Sequence, residues 1–108
     1  MPRIQDATIE EGQDISAEGV IAEADLKGDV LVSLNIEGTA AASYALDVSA
    51  TGEDGDWFKG EETYDQANLD DATDIRDSFR FGHRYLRIRV TGTAAAGETA
   101  DVTISEAR

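Results

Sequence analysis

The chain has 108 residues, 41% of them hydrophobic, with 23 acidic and 9 basic side chains and no cysteine. That length suits one domain around one core, and the missing thiols exclude a disulfide framework, a thiolate metal site and a cysteine nucleophile. A net charge of −14 argues against nucleic acid as a partner, because counterion release needs a net positive face.

In chain order, Met1 to Asp6 lack a basic region followed by an apolar run. No later stretch is long enough to cross a bilayer, so a soluble chain without a classical secretion signal or a membrane partner is expected. Ile4–Glu10, and Ile15 with Val20–Ala24, are weak strand candidates. Val30, Val32, Leu34 and Ile36 then alternate with Leu31, Ser33, Asn35 and Glu37, which places four aliphatic side chains on one face of a strand. Tyr44, Leu46, Val48 and Ala50 alternate in the same way with Ala45, Asp47 and Ser49. This run ends at Thr51-Gly52-Glu53-Asp54-Gly55-Asp56, a turn rich in residues that tolerate positive φ, and a hairpin to a strand from Trp57 is predicted.

Thr63-Tyr64 is a further weak strand, and Asp65 to Asp74 reads as a surface loop. Ile75, Phe79 and Phe81 share a face. Leu86, Ile88 and Val90 face one way while Tyr85, Arg87, Arg89 and Thr91 face the other, and Val102 with Ile104 repeats the pattern after a Gly92–Glu98 loop, which predicts a second hairpin. No segment holds a helical period over three turns. Seven or eight short strands, almost without proline, predict one all-β domain spanning 1–108: an antiparallel two-sheet β-sandwich or jelly roll, with a small β-barrel as the alternative.

Few residues point to chemistry. His83, the sole histidine, lies in a Gly82-His83-Arg84 turn with no serine marked as its partner, so a surface role is expected and no enzyme activity. Two acidic loops offer oxygen ligands, through Asp54 and Asp56 in one and Asp70, Asp71 and Asp74 in the other. Neither follows the spaced calcium-loop pattern, so a diffuse cation atmosphere is the expectation, with no bound metal or cofactor. Trp57, Phe58 and Tyr64 flank the acidic turn and could stack a sugar ring, although a chain this poor in large apolar groups is expected to spend Trp57 and Tyr64 in its core instead. Arg76, Arg80, Arg84, Arg87 and Arg89 gather five of the nine basic residues into one span, expected on adjacent strands. Their guanidinium forks fit carboxylates, either across an interface with another copy or within the chain.

The acidic coat itself points to an environment. Lys27 and Lys59 are the only lysines, so the surface is dressed in carboxylates whose mutual repulsion is relieved when molar salt shortens the Debye length to about 3 Å. The apolar set leans on Ala and Val, as in extremely halophilic archaea and their viruses.

The C-terminal third, Phe79-Arg80-Phe81-Gly82-His83-Arg84-Tyr85-Leu86-Arg87-Ile88-Arg89-Val90-Thr91 through Gly97 to Ile104, resembles the closing hairpin of small β-sandwich virion proteins of haloarchaeal tailed viruses and related phages. Tyr44-Ala45-Leu46-Asp47-Val48-Ser49 with Trp57-Phe58 is similar to their middle strands. The resemblance covers about half the chain and carries over no functional residue. It implies a non-enzymatic capsid or tail accessory protein, assembled in a haloarchaeal cytoplasm and present in the virion as a homo-oligomer beside other virion proteins. The alternative is a carbohydrate or cell-surface binding module acting through Trp57, Phe58 and Tyr64.

Overall fold

The computed structural model describes residues 4–26, 30–65 and 73–107. Among these the chain forms eight strands and no helix: β1 (Ile4–Asp14), β2 (Gly19–Asp25), β3 (Val30–Gly38), β4 (Ser43–Ser49), β5 (Trp57–Asp65), β6 (Asp74–Phe81), β7 (Tyr85–Gly92) and β8 (Thr99–Ala107). No helix among the described residues is long and apolar enough to cross a membrane.

Two four-stranded sheets result, one in the order β1-β8-β3-β6 and the other β2-β7-β4-β5, called here the first and second sheets. All pairings are antiparallel. Four of them are nested about the turn after β4: β4 with β5, β3 with β6, β2 with β7, and β1 with β8. The chain is thus one long hairpin rolled onto itself, and the β3–β8 and β4–β7 pairings close each sheet. This winding is the eight-stranded jelly roll, in two open sheets rather than a closed barrel.

Alternation builds the core as the sequence predicts. Val30, Val32, Leu34 and Ile36 from β3 meet Leu86, Ile88 and Val90 from β7, all at 1% exposure or less. Each such side chain contributes about 2 kcal/mol of apolar burial. Tyr44, Leu46 and Val48 of β4 and Val102 and Ile104 of β8 complete the layer between the sheets.

The hairpin across Thr51–Asp56 forms as expected, with Ser49 opposite Trp57. The second predicted hairpin does not. β7 pairs with β2 and β4 and β8 with β1 and β3, so the Gly92–Glu98 segment crosses from one sheet to the other. Ile15, fully buried between β1 and β2, anchors that crossing: its amide donates to Glu98 O at 3.2 Å and its carbonyl accepts Ala94 N at 2.9 Å. Period-two patterning fixes which side chains face inward but is blind to which sheet they enter from, because both sheets feed one core. The five arginines are divided for the same reason. β6 and β7 are consecutive in sequence and lie in opposite sheets, so Arg76 and Arg80 are separated from Arg87 and Arg89 by the whole core. Of the Asp65–Asp74 loop, Asp65 ends β5 and Asp74 begins β6, while Asp70 and Asp71 lie outside the described residues.

Candidate functional site

Three places hold chemistry beyond the core. The first is the outer face of the second sheet. Outward positions of β4 are expected to meet solvent, yet Asp47 and Ser49 have no exposed surface. Asp47 accepts Arg87 Nε at 2.8 Å, Arg89 Nε at 3.0 Å, Arg89 NH2 at 3.2 Å and the Gly60 amide at 2.9 Å. Gly60 reaches it because β5 bulges there, with φ at +73°, a conformation that favours glycine. Arg87 also lies over the Trp57 ring at 4.3 Å, so Trp57 is half covered. Burial pushes the Asp47 carboxyl up, but the two guanidinium groups and the Gly60 amide outweigh it and hold the carboxyl below its ordinary range. The Asp47 carboxylate is fully buried and takes all four of these bonds, while both guanidinium groups keep some solvent contact. The cluster locks β4, β5 and β7 together.

The second place is the side of the sandwich where β5 and β6, the edge strands of the two sheets, face each other without pairing. The Tyr64 hydroxyl donates to Asp77 Oδ2 at 2.7 Å across this gap. Burial and that bond raise the phenol above its ordinary value. Beside it opens a cleft of about 520 Å³ with Leu46 and Val48 as floor, Phe79 and Phe81 as one wall, and Glu61, Glu62, Arg80 and His83 at the rim. Phe79 and Phe81 meet edge to face at 6.1 Å, and His83 continues the aromatic band 5.8 Å from Phe81.

The third is the outer face of the first sheet, where pairing sets residues of four strands in transverse rows. One row runs Ile9, Thr103, Asn35, Arg76 and the next Ala7, Ser105, Ser33, Ser78. Leu31 beside Arg80 begins a third row, and neither residue is acidic. Among the described residues of these rows, carboxylates appear in the row at the far end, where Asp101, Glu37 and Asp74 sit side by side. Ile9 at 58% and Leu31 at 40% exposure are two of the chain's exposed large apolar residues. A chain carrying −14 therefore keeps the middle of one broad, flat face free of acid.

The residues expected to matter are scattered among these places. Arg87 and Arg89 are bound within the chain, and Arg84 pairs with Asp25 through Nε and NH2, both at 3.1 Å, at one end of the second sheet. Arg76 and Arg80 stand exposed on the first sheet, with Arg76 at 3.9 Å from Glu37. Trp57, Phe58 and Tyr64 form no common platform. Trp57 points outward beneath Arg87, Phe58, its neighbour, points the opposite way and is 71% exposed, and Tyr64 reaches into the gap toward Asp77. In the acidic turn Asp56 accepts the Thr51 hydroxyl at 2.7 Å, and Asp54 is exposed beside it. Among the described residues no three His, Cys, Asp or Glu side chains are placed to hold a metal ion. The acid-free face went unnoticed in the sequence because its rows combine strands up to about a hundred positions apart. Its signal was nonetheless there, in the outward-facing Ser33 and Asn35 of the clearest strand.

Fold and surface together define a jelly-roll domain with an acidic coat, an internally paired arginine network and one broad acid-free sheet face. No protein-family model, curated protein or solved structure matches the chain.

Proposed function

We propose that this chain is a non-enzymatic structural subunit of a virus particle built in concentrated salt, a capsid decoration, turret or tail component. It works by assembling with copies of itself and with other particle proteins. The observation that carries this reading is the acid-free outer face of the first sheet. In a −14 chain, a broad face without carboxylates escapes the like-charge repulsion that would keep two copies apart, and exposes Ile9 and Leu31 to be covered. The resemblance of its strands to haloarchaeal virion proteins supports the same assignment. The purified chain added to particles of a haloarchaeal tailed virus in about 3 M salt, where the Debye length is shorter still than at 1 M, should cosediment with them. A chain that stays at the top of the gradient and is monomeric at every concentration contradicts the proposal.

A second reading, a carbohydrate-binding module, draws on the cleft between β5 and β6 rather than on Trp57. Aromatic walls stack the apolar face of a sugar ring, and the mixed acidic and basic rim offers acceptors and donors to its hydroxyls. Glycan binding that disappears with Phe79→Ala and survives Trp57→Ala favours this reading, and no binding to a broad glycan panel removes it.

A further inference from the structure

We infer that the partner of the acid-free face is a second copy of the chain, packed face to face about a two-fold axis that lies in the interface and runs across the strands. This rests on the assembly reading above and specifies its geometry.

The rows distinguish two limiting in-plane axes, one along the strands and one across them. With the axis along the strands, β3 of one copy lies over β8 of the other at the same level, so Glu37 meets the partner's Asp101 and the acidic rows collide. With the axis across the strands, each strand lies over its own copy in reverse, and the acidic row of one molecule falls on the Leu31 and Arg80 row of the other. Asp74 and Arg80, at opposite ends of β6, then pair twice with their counterparts. The axis passes between the rows of Asn35 and Ser33, so the centre brings together hydroxyl, amide and methyl groups, with Arg76 on the edge strand the one charged side chain of those two rows. Of the two, only this arrangement sets an acid of each copy opposite a base of the other.

The area fits a modest interface. Four strands about 4.8 Å apart and some eight residues long present about 500 Å² in projection, or about 1,000 Å² for the pair, near the lower bound of specific interfaces. Association is therefore concentration-dependent, and it strengthens as salt screens the two like net charges.

Charge reversal tests the geometry. By analytical ultracentrifugation in salt, Asp74→Arg and Arg80→Glu should each raise the dissociation constant about 10-fold, and the double variant D74R/R80E should return it to within about 3-fold of the original. Association that is indifferent to both single changes, or that the double variant fails to restore, overturns this geometry while leaving assembly standing. A chain that stays monomeric in all salts removes the assembly reading as well.

Discussion

The Tyr64 hydroxyl donates to the Asp77 carboxylate at 2.7 Å across the open side of the sandwich, joining the edge strands β5 and β6. The same carboxylate accepts the amide of Ser78 at 2.9 Å through its other oxygen. One side chain thus ties the two sheets together and covers an edge donor that could otherwise template a foreign strand. Tyr64→Phe removes a charge-assisted bond and should cost about 1.5–2 kcal/mol in urea unfolding. Asp77→Ala loses the bond and uncovers the edge, so it should also aggregate as the concentration rises. Identical solubility of the two variants would show that the edge needs no cover.

The tyrosines give this core a signature at high pH. Burial pushes Tyr44 up to about 12, and burial together with the Asp77 bond pushes Tyr64 up as well, from an ordinary value of 10.0. Their folded values exceed the unfolded one, so the stability they confer is complete below pH 10 and is lost as the pH rises beyond it. Tyrosinate absorbance from these two should appear together with loss of β-sheet circular dichroism. Ionisation of both in a fully folded protein would contradict the burial assigned to them.

Asp47 behaves in the opposite sense. Its carboxyl lies below the ordinary 3.8, so its contribution is present above that pH and fades as acid protonates it in the folded state. Asp47→Ala would strand Arg87 and Arg89, whose side chains are 15% and 26% exposed, over a buried gap. Because both guanidinium groups retain some solvent, the expected loss is about 2–3 kcal/mol, at the low end for a broken buried pair. Asp47→Asn should remove most of the same stability at neutral pH and flatten the acid limb of the stability profile. Wild-type stability in both variants would mean that the cluster holds nothing together.

Salt should govern folding as well as assembly. Self-repulsion of −14 acts over about 10 Å at 0.1 M salt and over about 3 Å at 1 M, so the urea midpoint should climb steeply between these concentrations and then level off. A midpoint independent of salt would show that the carboxylates are too well spread to oppose compaction.

Much of this was legible in the residues, and what was hidden has a definable cause. β3 and β7 announce their inward faces because their outward partners, Leu31 apart, are polar or amphipathic, and the Thr51–Asp56 turn announces its hairpin through glycines, with Gly52 and Gly55 both at positive φ. Sheet membership was invisible, since Val90 and Val102 enter the same core from opposite sides. That is why β7 and β8 resemble a hairpin they do not form, and why the five arginines looked like one patch. Asp47 reads as one more solvent-facing acid, because neither the Gly60 bulge nor the cross-strand approach of Arg87 and Arg89 leaves a local trace. The opposed directions of Trp57 and Phe58, by contrast, follow from adjacency in a strand.

The account turns on the acid-free face, and a single carboxylate placed there tests it most directly. Ser33 is exposed in the middle of that face, on the side of β3 away from the core, so Ser33→Glu should leave the circular dichroism spectrum unchanged. Light scattering in about 3 M salt, where long-range repulsion is screened, should then give a multiple of the 11.6 kDa chain mass for the native protein and the monomer mass for Ser33→Glu. A native protein that is strictly monomeric, or a variant that assembles as well as the native chain, would contradict the claim that this face is where the protein assembles.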